Sequence, residues 1–483
     1  MLNPKHKLYK WGPISACPLF MYFAIETAFA PLKKLFGITY TESLIIFKDE
    51  KVTWFLDDKA LNQQSIVFVK NVLLNKQKNK KYFSLWNNRT IELTKLFNKL
   101  DRLNLSSLSN KVLVAEYKEF SQAYYDWFII TISIELGSSS LEPLLGSRLK
   151  KYFSPTQEKE YQQAFSVVTA PLSLTFYRQE QRDLLKILSL PKKRWEDSLK
   201  SHQEKYFWIF NSYAEGKVLP INYFRQELEK FTKENYEKIL HEIENYVENI
   251  KIQKKEIISE LQIEIEDIKL ISLVETYSKL LDERKMINFK AEHYLELFAK
   301  EISLRTNHPI QDIKFLLPFE LADSLYIINP TLIKKRRRCF VLLCTDKKIK
   351  HYTDKKAKDL ADQFLGVTNI YENIIHGRVA SVGKSYYFRG TAKVVLTIKE
   401  IGKIKKGDIL VTTMTSPDFV IGMKKAGAIV TDTGGILSHA AIVSRELKIP
   451  CIVGTELATK IIHDGDIVEL HCGRGTVKII KHS

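Results

Sequence analysis

The chain has 483 residues, of which 45% are hydrophobic and 27% are charged. This composition excludes collagen-like, mucin-like and wholly disordered proteins, and the length allows roughly two to four domains with sizeable cores. The 74 Lys and Arg residues exceed the 56 Asp and Glu residues, and the formal charge of +18 favours an anionic partner without selecting one.

The first apolar stretch runs from Trp11 to Pro31, with Glu26 as its only charge. It could serve as a signal peptide, but Pro13 and Pro18 interrupt it and more apolar-periodic sequence follows, so we expect no targeting segment here. We find no other stretch near the roughly 20 apolar residues that a membrane-spanning helix requires. The five cysteines form no C-x-x-C pair, which favours a reducing, cytoplasmic location.

Glycine divides the chain, because five of the 19 glycines lie in the first 365 residues and 14 lie from Gly366 onward. Glycine supplies the turns between short strands, so we predict a strand-rich C-terminal domain over residues 366–483. Before it we predict a small α+β region over residues 1–110 and a helical domain with long antiparallel helices over residues 111–365. The expected fold class is multidomain, mainly α-helical in front, with an α/β C-terminal domain.

The front part contains one predicted hairpin and several predicted helices. Two β-prone runs, Ser43–Phe47 and Val52–Phe55, flank a polar turn. The densest basic run, Lys334–Lys358, contains the apolar segment Cys339–Cys344, for which we expect a strand with a solvated edge. Apolar residues at helical spacing predict helices over Leu113–Ile134, Thr156–Val168, Trp195–Ala214, Phe224–Ile250 and Ile268–Leu304.

Residues 407–454 alternate between strand and helix patterns. Ile409–Thr412 and Ala428–Val430 are apolar strand cores, whereas Phe419–Ala426 and His439–Leu447 have helical spacing. Alternation of this kind needs crossover connections, so we expect a largely parallel sheet covered by helices.

A histidine follows the predicted N-cap of the second of these helices. With Ser438 as the N-cap, His439 lies in the first turn, where free N–H groups and the helix dipole favour an anion. Gly434 and Gly435 leave the approach to this turn free of side chains. Neutral imidazole is a nucleophile that needs no metal, and we expect no metal site. His439 is therefore the candidate catalytic residue, although a lone histidine behind a turn also fits a purely structural role.

The sequence GGILSHAAIV at 434–443, followed by Arg445-Glu446-Leu447 and Pro450, resembles the phosphohistidine motif of the mobile domain in phosphoenolpyruvate-utilising enzymes. This family includes phosphoenolpyruvate synthase, pyruvate phosphate dikinase and rifampicin phosphotransferase. The likeness extends to Pro417-Asp418 and to residues 377–383. It implies a swivelling α/β domain in which His439 is transiently phosphorylated. The positions that match the shaping residues of the motif's phosphoryl site are Thr433, Gly434, Gly435 and Ser438.

A weaker likeness covers the end of the helical region. Residues 282–285 and 312–316 resemble the helical segment that precedes the swivelling domain in synthase-like and rifampicin-phosphotransferase-like members. Arg284 and Lys285 are expected on an exposed helix face and receive no catalytic role. Arg445 matches the helix arginine of the motif, for which we expect a stabilising role.

The first 365 residues depart from complete members of the family. Such members carry an ATP-grasp domain that phosphorylates the histidine, and the glycine-poor, helical front part predicts neither this domain nor a pyruvate-binding barrel. We therefore expect a phosphotransferase component charged by a separate ATP-grasp partner or by phosphoenolpyruvate, with a small-molecule acceptor. No cofactor is expected on this chain, and ATP and Mg²⁺ would act through the partner. The alternatives are a non-catalytic scaffold that keeps the fold and, less favoured, a basic nucleic-acid-associated protein; no membrane association is expected.

Overall fold

The computed structural model describes residue 2 and residues 8–231, 233–365, 374–415, 419–435 and 438–483. The expected domain start at Gly366 and the motif residues Pro417, Asp418, Ile436 and Leu437 lie outside the described residues. The described residues form nineteen α-helices and thirteen strands, and the strands make two sheets. This arrangement confirms the predicted multidomain class, with a mainly helical front part and an α/β C-terminal region.

Sixteen helices precede the C-terminal region. They are α1 (Pro18–Thr27), α2 (Ala30–Phe36), α3 (Asp58–Phe68), α4 (Lys76–Leu100), α5 (Asn110–Thr131), α6 (Ser133–Lys150), α7 (Glu158–Val168), α8 (Phe176–Leu188), α9 (Trp195–Tyr206), α10 (Ile221–Glu229), α11 (Lys233–Glu260), α12 (Ile265–Thr306), α13 (Ile310–Ile313), α14 (Pro318–Asp323), α15 (Pro330–Arg338) and α16 (Asp354–Leu365).

Three of the predicted helices run past the end of a helix in the structure. The predicted helix over 113–134 crosses from α5 into α6, and the one over 224–250 is divided between α10 and α11. Helix α9 ends at Tyr206 rather than Ala214, and beyond it the side chain of Asn211 donates to the Phe289 carbonyl of α12 at 2.8 Å. Helical spacing alone does not reveal such ends, because tertiary contacts also decide the path of the chain.

A five-stranded antiparallel sheet lies in the front part, in the order β1-β3-β2-β4-β5. The predicted hairpin is confirmed as β2 and β3, and the apolar segment of the basic run is β4. Strand β4 pairs with β2, with Leu343 opposite Leu44. The strands are β1 (Leu8–Ser15), β2 (Ser43–Lys48), β3 (Lys51–Asp57), β4 (Phe340–Cys344) and β5 (Ile349–Tyr352).

One large apolar core fills the front part and contains side chains from Ala16 to Cys344. The apolar stretch 11–31 supplies part of β1, α1 and the start of α2, and Leu19, Phe20 and Ile25 are fully buried. This core includes residues on both sides of residue 110, and the three-part division of the chain stays a prediction.

One described stretch, Asn110–Lys150, is long and apolar enough to pass a simple test for a membrane-spanning helix, with a mean hydropathy of 1.3 in its most apolar window. The expectation that no other stretch approaches a membrane-spanning helix was therefore wrong. Because 61% of that window is buried inside the protein, the stretch has the character of a core helix pair, α5 and α6. Because the stretch is buried in this way, its length and hydropathy are weak evidence for a membrane span.

The C-terminal region is built on an eight-stranded sheet in the order β6-β13-β12-β8-β9-β10-β11-β7. The strands of residues 407–454, which are β9, β10 and β11, run parallel as expected, and β8 extends this parallel part; the flanks of the sheet lie outside that expectation. There, the hairpin β12–β13 and the edge strands pair antiparallel. The elements are β6 (Ile374–His376), β7 (Arg378–Val382), β8 (Tyr387–Val394), β9 (Ile409–Thr412), α17 (Val420–Met423), β10 (Ala428–Thr431), α18 (His439–Leu447), β11 (Pro450–Val453), α19 (Ala458–Ile461), β12 (Ile467–His471) and β13 (Thr476–Lys481).

A second apolar cluster joins the C-terminal sheet to the front helices. Phe176 and Tyr177 of α8 and Phe289 of α12 share this cluster with Ala440 and Val443 of α18. Burial of these side chains holds the start of α18 against the helical part of the chain. This packing therefore places the residues around His439 next to the front part.

Candidate functional site

Helix α18 begins at His439, as the sequence predicts. The backbone N–H of Ala441 donates to Oγ of Ser438 at 3.4 Å, so Ser438 caps the helix. The Ser438 carbonyl accepts the N–H of Ile442 at 2.9 Å, which is the first bond of the helix ladder. The N–H groups of His439 and Ala440 have no acceptor within the helix, because no helical carbonyl precedes them.

The turn before α18 is fixed by threonine and glycine. Oγ1 of Thr433 donates to the Thr413 carbonyl at 3.0 Å, which ties the turn to the end of β9. Gly434 has a φ of 105°, a conformation that L side chains rarely adopt. A Cβ atom on Gly435 would lie 2.2 Å from Oε2 of Glu142, so a side chain at this position would require the Glu142 carboxylate to move. The turn is therefore shaped by its own backbone and by α6 of the front part.

The His439 ring is held at one nitrogen and open at the other. Nδ1 lies 2.8 Å from Oγ1 of Thr415, and the ring of Tyr177 lies 5.9 Å away in an edge-to-face arrangement. Nε2 is buried and has no hydrogen-bond partner among the described residues. When Nδ1 carries the proton and donates to Thr415, the lone pair of the ring is at Nε2.

The electrostatic surroundings keep His439 neutral. Burial lowers the pKa of its imidazole well below 6.5, and the positive charge of Lys285 lowers the pKa further. The side chain is 7% exposed. A neutral ring with a free lone pair is the nucleophilic form of histidine, so the site can hold His439 ready for attack at physiological pH.

His439 lines a cavity of about 1450 Å³ between the C-terminal region and the front part. The five candidate residues predicted from the sequence all line it: Thr433, Gly434, Gly435, Ser438 and His439. From the front part come β1, α6 and α12, including Trp11, Glu135, Arg284, Lys285 and Phe289. The geometry brings the predicted residues together, and their functional assignment stays a prediction.

Arg284 and Lys285 do not lie on an exposed helix face, and that expectation was wrong. Arg284 is 7% exposed and pairs with the Glu135 carboxylate. Burial lowers the pKa of Lys285 to about 8, partly offset by the charge of Glu135. Both side chains line the same cavity as His439. Helical periodicity could not reveal a face that is covered by elements distant in sequence.

Two buried carboxyl groups at the far end of α18 were missed by sequence reasoning. Oε2 of Glu446 accepts a hydrogen bond from Oγ1 of Thr175 at 3.0 Å, and the Glu446 carbonyl accepts one from Arg178. Burial raises the pKa of Glu446 to about 7, and burial together with the charge of Glu446 raises the pKa of Asp282 to about 8. These groups join α18 to α8 and α12, and no local sequence pattern marks them.

Two arginines anchor the strand β7. Nε of Arg445 donates to the Ala380 carbonyl at 2.9 Å and ties α18 to this strand, which agrees with the stabilising role expected of Arg445. Arg378, at the start of β7, lies 3.3 Å from Oε1 of Glu142 and links the strand to α6. Both arginines thus hold the C-terminal sheet around the glycine turn.

Carboxylates pair with several cations of the basic run. Arg336 is buried and forms a two-pronged ion pair with Glu320. Arg337 lies 2.7 Å from Asp312, and Lys335 lies 2.8 Å from Asp354. These pairs lower the net positive charge that the run presents to a partner.

Comparison with known proteins gives the class of the C-terminal region. Residues 404–475 match the family model described as PEP-utilising enzyme, mobile domain. The chain is 46% identical over 125 residues to a probable phosphoenolpyruvate synthase of Archaeoglobus fulgidus, which is 26% of this chain and 16% of that protein. It is 55% identical over 106 residues to the phosphoenolpyruvate synthase of Pyrococcus furiosus, covering 22% and 13% of the two chains.

Two other comparisons give lower identities. An uncharacterised phosphotransferase of Bacillus subtilis is 37% identical over 129 residues, covering 27% of this chain and 15% of that protein. A solution structure of Enzyme I aligns with 63% of this chain and 80% of its own, but its 14% identity and TM-score of 0.18 are too low to relate the folds.

The α/β C-terminal region therefore contains the part of the chain that matches known proteins. More particularly, the chain carries a mobile domain of the PEP-utilising enzyme family. The matched part of this chain spans 16%, 13% and 15% of the lengths of the three curated relatives, which is less than a fifth of each.

Proposed function

We propose that this chain transfers a phosphoryl group through a phosphohistidine at His439, in a reaction like that of phosphoenolpyruvate synthase or rifampicin phosphotransferase. The observation that carries this proposal is the state of the His439 ring. Nδ1 is fixed by Thr415 at 2.8 Å, while Nε2 is without a hydrogen-bond partner among the described residues. A histidine with a purely structural role would bond through both nitrogens where it could.

The first half of the reaction forms a bond between Nε2 and phosphorus. The Nε2 lone pair attacks, the bond from phosphorus to the donor oxygen breaks, and the electron pair leaves with the donor. The proton on Nδ1 stays in place and keeps its hydrogen bond to Thr415. In the second half the acceptor oxygen attacks phosphorus and the bond to Nε2 breaks, which returns the lone pair to the ring.

Positive charge beside the cavity supports the second half of the reaction, in which the phosphoryl group passes to the acceptor. Arg284 and Lys285 line the wall of the cavity opposite α18, and Lys285 acts electrostatically on His439. Cations held before the reaction begins stabilise the negative charge of a phosphoryl group in transfer. The cavity of about 1450 Å³ leaves room beside them for a small-molecule acceptor.

Phosphorylation of His439 requires a second component that supplies the phosphoryl group. The described residues before residue 366 form helices and one antiparallel sheet, and that part of the sequence holds five of the 19 glycines. We therefore propose a separate ATP-grasp partner that brings ATP and Mg²⁺, with phosphoenolpyruvate as the alternative donor, in a cytoplasmic setting. Calorimetry of the purified chain with Mg-ATP tests this: micromolar binding by the chain alone would contradict the proposal.

Labelling of His439 tests the central step. With labelled phosphoenolpyruvate, or with labelled ATP and the charging partner, the chain should take up acid-labile, base-stable phosphate. His439→Ala should abolish the uptake, and His376→Ala, which changes an exposed histidine of the same domain, should leave it intact. Equal labelling of the wild type and His439→Ala would reject the assignment, and absence of label under every donor would favour a non-catalytic scaffold.

Nucleic acid is the less favoured partner. Of the run from Lys334 to Lys358, Lys335, Arg336 and Arg337 pair with carboxylates, which leaves fewer cations for phosphate contacts. Binding through several phosphates would weaken steeply with salt. Salt-sensitive, tight binding of DNA or RNA would overturn this part of the proposal.

A further inference from the structure

Three metal-ligating side chains meet at the end of the C-terminal sheet. His463 and Asp466 lie in the loop before β12, and His482 follows β13. Nδ1 of His482 lies 3.1 Å from Oδ2 of Asp466, and Nδ1 of His463 lies 3.8 Å from the same oxygen. One ligand atom from each residue lies within 4.8 Å of the other two.

The sheet places these residues together although they are distant in sequence. Strands β12 and β13 pair antiparallel, with Ile467 opposite Lys481, so the residue before β12 meets the residue after β13. The backbone N–H groups of His463 and Ser483 donate to Asp466 at 2.8 and 3.0 Å. The Asp466 side chain is fully buried, and these bonds fix its position between the two rings.

The two imidazoles have a different environment from the carboxylate. The side chain of His463 is 71% exposed and that of His482 is 59% exposed, while their ring centres lie 6.0 Å apart. Exposed rings can rotate by small amounts at little cost. The carboxylate is thus the fixed part of the cluster, and the rings can adjust to a ligand between them.

We propose that His463, Asp466 and His482 bind one Zn²⁺ ion. With bonds of about 2.0–2.1 Å, two ligand atoms of a tetrahedral zinc site lie about 3.3 Å apart. The separations of 3.1 and 3.8 Å from Oδ2 of Asp466 bracket that value, and rotation of the exposed rings can bring the two histidine nitrogens, which lie within 4.8 Å of each other, to it. Two imidazole nitrogens favour Zn²⁺ over Mg²⁺ or Ca²⁺, which take oxygen ligands. Water completes the coordination.

This site is separate from the phosphoryl site. None of its three ligands lines the cavity at His439. A bound ion joins the loop before β12 to the segment after β13, and it closes the open end of this hairpin. The proposal therefore stands independently of the phosphotransfer reaction, and the ion stabilises the C-terminal sheet.

Zinc binding by the full chain tests the proposal. The protein is stripped with a chelator and titrated with Zn²⁺ against a chromophoric competitor, with excess Mg²⁺ present throughout. The double variant His463→Ala/His482→Ala changes only exposed rings, so it should fold; the control His241→Ala/His376→Ala removes two exposed histidines elsewhere. We expect one Zn²⁺ per chain for the wild type and the control, and at least tenfold weaker binding for the double variant.

A thermal measurement gives a second readout. Zn²⁺ should raise the Tm of the wild type and of the control, because it binds the folded hairpin and not the unfolded chain. The double variant should show no rise. Equal affinity in the wild type and the double variant, or no stoichiometric Zn²⁺ in the wild type, would overturn the proposal.

Discussion

Oγ1 of Thr415 lies 2.8 Å from Nδ1 of His439, and both atoms are buried at the end of β9 and the start of α18. A threonine hydroxyl can accept or donate, and the proposed reaction uses the tautomer in which Nδ1 of His439 donates to Thr415 and Nε2 keeps its lone pair. The hydrogen bond also sets the direction of Nε2, because the ring can no longer rotate freely. Thr415 acts in this proposal as a positioning residue for His439.

Replacing Thr415 tests that role. In Thr415→Val the bond is lost, so the proton can move to Nε2 and the nucleophilic tautomer is less populated. A hydrogen bond worth about 1 kcal/mol predicts roughly fivefold slower labelling of His439. The nitrogen chemical shifts of the ring should report the mixed tautomer, and Thr415→Ser should restore both readouts. Wild-type labelling in Thr415→Val would show that Thr415 only packs against the ring.

Lys285 should control the pKa of His439. Its positive charge disfavours the charged imidazole, so Lys285→Met should raise the pKa of His439 while burial still holds it below 6.5. Transfer to an acceptor should slow, because a cation beside the phosphoryl group is lost. Lys279→Met is the control, since Lys279 lies on the same helix with its side chain 59% exposed. An NMR titration in which Lys285→Met leaves the pKa unchanged would contradict the prediction.

Stability should fall as pH rises through neutrality. Glu446 is an acid whose pKa is raised from 4.5 to about 7 in the folded protein, chiefly by burial. The folded chain therefore binds more protons than the unfolded chain between these values. The stability that this proton contributes is complete below about pH 4.5 and is lost as pH rises through about 7. The raised pKa of Asp282 acts in the same direction.

The size of this effect can be measured with Glu446→Gln. We expect the free energy of unfolding of the wild type to fall by about 1–3 kcal/mol between pH 5 and 8, from the size of the pKa shift. Glu446→Gln should flatten the dependence. Glu242→Gln, which changes a side chain that is 52% exposed, should keep the wild-type slope. Parallel curves for the wild type and Glu446→Gln would show that another group sets the dependence.

The position of Glu142 beside Gly435 predicts that a larger residue at position 435 lowers the stability of the protein. Gly435→Ala should destabilise the protein by about 1–3 kcal/mol through overpacking, since its Cβ would meet a buried carboxylate. Gly402→Ala should be nearly neutral, because nothing lies within 4 Å of the added atom. Chemical unfolding measures both. In the Glu142→Ala background, Gly435→Ala should lower the free energy of unfolding by less than it does in the wild type. Equal losses in the two backgrounds would contradict the contact.

Local signals in the sequence predicted the start of the candidate site. Ser438 caps α18 and His439 begins it, because capping depends on residues three positions apart. The positive φ of Gly434 follows from the same short segment. Such features need no knowledge of the rest of the fold.

The wall opposite His439 could not be predicted in this way. Arg284 and Lys285 lie on a helix whose charged residues suit solvent equally well. Their surroundings come from tertiary packing: Arg284 pairs with Glu135 of α6, and Lys285 acts electrostatically on His439. Similarly, the cluster of His463, Asp466 and His482 depends on the pairing of β12 with β13. Side chains that meet through tertiary packing leave no fixed spacing in the sequence.

The pairing of β2 with β4 has a consequence for folding order. Ser43 to Phe47 lie opposite Phe340 to Cys344, so the sheet joins the first strands of the chain to a segment made after helices α3 to α15. Bringing such distant segments together carries a large entropic cost and slows folding. During synthesis, the apolar edge of β2 stays unpaired until residue 344 has emerged from the ribosome. A fragment that stops before Phe340 should therefore expose this edge and aggregate.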